Sequence, residues 1–174
     1  ASLRQRFPTW QSVLRADADE VAEAFRFNGL ANIKAPRIQG ILRQLQEERG
    51  SLSLGLLEDM TVPEARKYLT SLHGVGPKTA ACVLLFSLHK PALPVDTHVY
   101  RVTRRLGLVP AKASAEKAHV LLEELLPQET YYPFHLNVIH HGRTICSAKK
   151  PRCNDCPLAA ECDWFRAKRS SDAD

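Results

Sequence analysis

The sequence predicts an all-α fold in two lobes. Apolar residues recur at helical spacing in segment after segment. These segments open at capping residues or prolines and close at glycines or prolines. No stretch alternates apolar and polar residues between hairpin turns, as a half-buried strand would. With 174 residues, the chain has room for one domain or two small lobes with a real core.

Each element follows from local signals. Ala1 to Arg6 read as the tail of a helix, and the absence of a starting methionine reads as a fragment or a trimmed start. Thr9 caps a short helix over Trp10 to Arg15. Asp17 caps the next, with Glu20 completing a capping-box-like start and Val21, Ala22 and Phe25 on one face. Asn28-Gly29 marks a turn. Pro36 opens a longer helix to about Arg49, with Ile38, Ile41, Leu42 and Leu45 inward and Gly50 just past its end. Thr61-x-x-Glu64 with Pro63 starts a helix that runs to Leu72. A buried helix spans Ala80 to Leu88, and Pro91-Ala92-Leu93-Pro94 is a rigid connector, the expected lobe boundary. Asp96 to Leu106 is the next helix, stopped at Gly107. Ser114 opens another to about Leu126, with Ala118, Leu121, Leu122 and Leu125 on one face. Pro133 to about His141 is helical, and Arg166 to Asp174 read as a frayed polar tail.

Between two of these helices lies Leu72-His73-Gly74-Val75-Gly76-Pro77-Lys78-Thr79-Ala80. Gly74 and Gly76 permit positive φ angles, and Pro77 suits a first helical position. A glycine turn that opens a helix aims free N–H groups outward, as a seat for a phosphate. A lysine in that first turn sits where the helix dipole disfavours positive charge, which favours the nucleophilic, uncharged amine. No strand precedes the turn, so it is not a dinucleotide-binding loop, nor does it match the phosphate loop of nucleotide hydrolases.

A net charge of +5 and a pI near 9.1 suit an anionic partner. No apolar run is long enough to span a membrane, and no signal peptide is visible. Four of the five cysteines are Cys146, Cys153, Cys156 and Cys162, spaced C-x6-C-x2-C-x5-C. That clustering points to a local metal site rather than a disulfide framework. A tetrahedral zinc and an iron–sulfur cluster both remain open, and the wide gaps suit the bulkier cubane better. Cys82 reads as a small core residue. Lys149, Lys150 and Arg152 lie between the first two ligands, where a metal-pinned basic loop could grip a phosphate backbone. Asp96 is a good N-cap, and an ionised carboxylate held there could stabilise a developing cation or assist an amine.

Leu-x-Gly-Val-Gly-x-Lys-Thr-Ala, then Val-Asp-Thr-His-Val with its aspartate 18 residues past Lys78, then the cysteine cluster, occur in that order. This combination closely resembles the endonuclease III family of helix-hairpin-helix DNA glycosylases. The likeness runs from about Phe27 to Trp164 and includes Asn28-Gly29-Leu30, Lys34-Ala35 and His141-Gly142-Arg143. The resemblance implies a helical barrel lobe with the hairpin over 1–92, lacking its N-terminal part, and an iron–sulfur lobe carrying the aspartate over 93–174.

It also implies a monomeric base-excision-repair enzyme acting inside the cell, cytoplasmic and nucleoid-associated in a bacterium. Its substrate would be double-stranded DNA carrying damaged pyrimidines or abasic sites. Lys78 would be the nucleophile and Asp96 the catalytic carboxylate. Gly74, Val75 and Gly76 would seat a backbone phosphate, Leu30 would lie in a duplex-wedging loop, and the four cysteines would hold a [4Fe–4S] cluster. Lys78 points to the bifunctional glycosylase/lyase branch, because related adenine-mismatch glycosylases lack it. A monofunctional glycosylase for uracil or mismatched bases, or a non-catalytic DNA-binding module, are the alternatives. Two positions depart from the family pattern: His73 stands where many members have proline, and Pro77 where many have a basic residue.

Overall fold

The computed structural model describes residues 3–171, less the side chains of Asn28 and Ser171. Ala1, Ser2 and the last three positions of the expected polar tail lie outside it. Among the described residues all regular structure is helical: ten α-helices with short 3-10 and π turns. The chain divides into two compact units, Ala1–Gly76 and Pro77–Asp174.

The first unit holds α1 (Leu3–Arg6), α2 (Trp10–Arg15), α3 (Ala18–Ala24), α4 (Ala31–Arg49) and α5 (Val62–Ser71). Thr9 and Ser12 exchange bonds in a capping box at α2, and Asp17 caps α3 through Asp19 N at 2.8 Å. Val13, Val21, Ala22, Ala31, Ala35 and Leu42 form one core, and buried Gln39 ties α4 to the end of α2 through the Val13 and Ala16 carbonyls. The long helix starts at Ala31, not at Pro36. Proline inside it forfeits one backbone bond, while buried Ala31 and Ala35 anchor the first turn in the core. Phe25 ends α3 as its C-cap and, half-buried, packs against the core that Val21 and Ala22 enter, as the shared face predicts.

The second unit holds α6 (Pro77–Cys82), α7 (Thr97–Leu106), α8 (Ala115–Leu125), α9 (Tyr131–Thr144) and α10 (Asp163–Ser171). A π turn over Val83–Ser87 continues α6. Leu85, Leu93, Val95, Val99, Val109, Ala118, Leu122 and Tyr131 make its core. Leu85 packing with Leu93 and Val95 is why the units part at Gly76 and not at the Pro91–Pro94 connector expected between 1–92 and 93–174. Leu125 is half exposed, so the inward face of α8 is narrower than its spacing predicts.

Two glycines set how closely elements approach in this unit. Gly107 ends α7 at φ 84°, and a Cβ there would collide with the Asp163 carboxylate. Gly142 in α9 lets His98 of α7 come so near that a Cβ would lie 3.0 Å from His98 Cβ. Instead of fraying, residues 166–171 belong to α10, which an Asp163–Arg166 ion pair and Trp164 beneath the Arg105 guanidinium (4.7 Å) hold in place.

Candidate active site and cysteine centre

The glycine turn follows α5 directly. Val75 donates to the Leu72 carbonyl at 3.0 Å, while neither Gly74 nor Gly76 donates its N–H to another described residue. Gly74 has φ 81°, which requires glycine. Gly76 does not adopt a positive φ, contrary to the sequence reading, and a Cβ there would meet open space. The fold therefore gives no internal reason for glycine at 76. Pro77 is the first residue of α6, as its ring geometry favours.

Lys78 is the second residue of α6. Its side chain is exposed and makes no hydrogen bond or ion pair to another described residue. Asp96 is the N-cap of α7, with Oδ1 accepting from His98 N at 2.9 Å and Val99 N at 2.8 Å. The carboxylate is half-buried, and Oδ2 accepts nothing from the described residues.

Two neighbouring groups register both charges. Burial pushes the Cys82 thiol up, Lys78 pulls it down, and Asp96 pushes it up again. Burial pushes the His135 imidazolium down; the Pro94 carbonyl and Asp96 raise it, and Lys78 lowers it. Amine and carboxylate therefore act on the same two side chains, within one unit of the protein. Cys82 is half-buried, one helical turn after Lys78.

The four C-terminal cysteines also converge. Cys146, Cys153, Cys156 and Cys162 line one cavity with Val102, Leu106, His141, Ile145 and Phe165. Burial pushes the Cys153 thiol up, the other three cysteines add to that push, as neighbouring thiolates would, and Arg105 opposes it. Among the described residues, no three histidines, cysteines or carboxylates are drawn together tightly enough for a single metal ion. Four sulfur donors around one shared, largely apolar cavity fit an iron–sulfur cluster by donor chemistry.

Arginines brace this centre. Arg105 donates to Cys146 Sγ at 3.2 Å and to the Ser147 and Ala148 carbonyls, and Arg101 donates to the Cys146 and Gly142 carbonyls. His141 Nε2 lies 3.6 Å from Cys156 Sγ. His98 Nδ1 accepts from Arg101 at 3.0 Å, a structural task.

The expected DNA-contact residues separate into kinds. Lys149 and Lys150 are exposed and donate no side-chain bond to another described residue. Arg152 spends part of its guanidinium on the Thr144 carbonyl at 2.6 Å, so it also shapes its own loop. In the first unit, Leu30 is 69% exposed and left-handed at φ 55°. Such strain in a non-glycine residue gathers at functional segments. Phe27, which the sequence reading passed over as a residue in its own right, is 97% exposed in the same turn. An apolar residue beside Asn-Gly was the available signal. His135 was also missed, since nothing near it in sequence marks it.

A family model described as the HhH-GPD superfamily of base excision DNA repair proteins matches residues 1–128. Endonuclease III of Thermotoga maritima is 34% identical over 93% of this chain and 71% of its own length. DNA glycosylase/AP lyase ROS1 of Arabidopsis thaliana is 36% identical over 93% of this chain but only 13% of its own. Another Arabidopsis thaliana relative, 40% identical, is matched over 57% of its length, so the chain spans little more than half of it. Among solved structures, a non-covalent endonuclease III–DNA complex superposes with a TM-score of 0.80 at 30% identity, over 97% of this chain and 74% of that one. With the glycine turn, the lysine and aspartate that share neighbours, and the cysteine-lined cavity in place, the chain belongs to the HhH-GPD superfamily of base excision DNA repair proteins, as an endonuclease III-like member.

Proposed function

We propose that this chain is a DNA glycosylase that removes oxidised pyrimidines from double-stranded DNA and then cleaves the abasic site. The observation that carries the reading is that Lys78 and Asp96 both act on Cys82 and His135. An exposed amine and a cap-held carboxylate then act on the same neighbours, which suits amine chemistry at a sugar carbon.

The target nucleotide is extruded from the stack. Lys78 Nζ bonds to C1′, the glycosidic bond breaks, and the base leaves with a proton. The Asp96 carboxylate stabilises positive charge on the sugar. The nitrogen lone pair then expels O4′, which takes a proton as the sugar ring opens, and the protonated Schiff base that results acidifies the C2′ proton. Its loss expels the 3′ phosphate by β-elimination, which cuts the strand.

The unassigned N–H groups of Gly74 and Gly76 suit a backbone phosphate, and glycine at 76 leaves room for its close approach. Leu30 and its exposed neighbours suit the gap that base extrusion opens. Cys146, Cys153, Cys156 and Cys162 would hold a [4Fe–4S] cluster. Held by these four thiolates, the cluster would pin the loop on which Lys149, Lys150 and Arg152 are suited to phosphates, and it would supply redox chemistry. The protein would act as a monomer inside the cell, wherever the DNA is kept; among the described residues no helix is long and apolar enough to cross a membrane.

Borohydride trapping tests the reading. Incubation with duplexes carrying single oxidised pyrimidines or abasic sites should give a covalent protein–DNA adduct, and Lys78→Ala should abolish it. An adduct that survives the substitution would remove Lys78 from the mechanism. Base release without strand cleavage or adduct would instead indicate a monofunctional glycosylase, and binding without base release would indicate a non-catalytic module.

A further inference from the structure

The strap before Asp96 is held by side chains from two other helices. Leu93 N donates to Glu123 Oε1 at 2.8 Å, and the Leu93 carbonyl accepts from His119 Nδ1 at 2.9 Å. The Pro94 carbonyl accepts from His135 Nδ1 at 2.8 Å. A carbonyl can only accept, so both imidazoles carry their hydrogen on Nδ1. Pro94 has no N–H to give, so every backbone polar group of Leu93–Pro94 is paired. Both histidines are 4% exposed.

His119 and Glu123 hold the strap from α8. His135 holds it from α9 and makes a second contact: its ring packs on Phe86 with centroids 5.5 Å apart. Phe86 lies in the π turn that continues the helix of Lys78, and its ring also meets Tyr132 of α9 in a T-shaped contact, centroids 5.7 Å apart. One buried side chain thus touches the segment that begins at Lys78 and the strap that ends at Asp96.

We propose that His135 is a positioning residue, the brace that fixes the Asp96 carboxylate relative to the Lys78 amine. The inference rests on the roles proposed for Lys78 and Asp96. Burial keeps the imidazole neutral, consistent with a fixed Nδ1–H donor and a bare Nε2. Misplacing reacting groups by about 1 Å can cost about 100-fold in rate, so a lost brace should appear in turnover rather than in DNA affinity.

The test is single-turnover base release and borohydride trapping by the full chain, with DNA affinity measured alongside. His135→Leu removes the donor. His135→Asn places an amide N–H near the Nδ1 position, whereas His135→Gln places it near Nε2, away from Pro94. Leu and Gln should slow the reaction by about 10–100-fold, with DNA affinity unchanged, and Asn should recover most of the rate. A merely structural histidine would show losses that track thermal stability, with no difference between Asn and Gln at equal stability. If the Leu variant does not fold, the Asn–Gln pair decides. Full-rate turnover by a folded Leu or Gln variant, or equal loss in Asn and Gln, overturns the brace. Asp96→Asn, run in parallel, separates the two readings. If it is slow while the His135 variants are fast, only the brace falls; if it is fast, the role of Asp96 falls and the brace with it.

Discussion

The two helix starts that carry the proposed chemistry are built in opposite ways. At the start of α6 the turn leaves N–H groups unassigned, and the lysine side chain is exposed and unpaired among the described residues. At the start of α7 the carboxylate is half-buried and spends Oδ1 on two backbone donors, and the strap before it is pinned by Glu123, His119 and His135. The difference follows from what each group is asked to do. A nucleophile must move along the path of the bond it makes, so a long side chain free at its tip serves. A carboxylate that stabilises charge works best when it does not reorganise, because preorganised dipoles and charges are most effective fixed in place.

Substituting Asp96 is the strongest way to break that contrast. Asp96→Asn keeps an oxygen that can accept from His98 and Val99, so the cap should survive and thermal stability should stay close to that of the parent. What it removes is the charge, and single-turnover base release should fall by about 10²–10³-fold. Asp96→Ala should lose that rate and also about 1 kcal/mol of stability as the cap disappears. Calorimetry beside rapid-quench kinetics checks both. An Asn variant at full rate would reduce Asp96 to a helix cap.

Much of this frame could be read from the chain because its causes are local. Asp96 capping α7, Gly107 stopping it and the Thr61–Glu64 box opening α5 each depend on residues within one turn. The cysteine spacing carried the convergence of four sulfurs, since short loops bring nearby ligands together at little entropic cost. What could not be read depends on packing. The start of α4 at Ala31 is decided by Ala31 and Ala35 reaching the core, which outweighs the proline signal at Pro36. Glycine at 76 read as a conformational need, yet the backbone there is ordinary. His135 meets Pro94 across 41 residues of sequence, and no local pattern announces such a pair.

Gly76 sharpens the open side of the comparison. Because neither its φ nor its surroundings need glycine, Gly76→Ala should leave the fold intact, and a less flexible unfolded chain could raise stability by about 0.4–1 kcal/mol. A phosphate drawn close to this turn would meet the new methyl. Losing one hydrogen bond to a charged group, about 1.5–3 kcal/mol, should weaken duplex binding by about tenfold or more. Fluorescence anisotropy on an abasic duplex, with thermal melting as the control, measures the two effects. Undiminished affinity would mean that no phosphate approaches position 76.

The smallest effect is expected at a third helix start, where a carboxylate completes a capping box with no chemistry attached. Glu64 accepts from Thr61 N at 2.9 Å and from the Thr61 hydroxyl, in the exposed first turn of α5. The bond from the hydroxyl does most to hold its carboxyl below the ordinary 4.5, and the bond from the backbone adds to it. A carboxyl whose value is lower in the folded chain than in the unfolded one binds protons less readily when folded. Its stabilisation is therefore complete above 4.5 and is lost as pH falls through the lowered folded value. Glu64→Gln keeps a side chain that can accept in a capping box and discards the charge. The variant should melt slightly below the parent at neutral pH, the gap should narrow below pH 4.5, and it should close once the parent's Glu64 is protonated. Base release should be unaffected throughout, in contrast to Asp96→Asn. If Glu64→Gln slowed base release while leaving melting unchanged, capping and chemistry would no longer be separable by position, and the division between a working carboxylate and a purely structural one would fail.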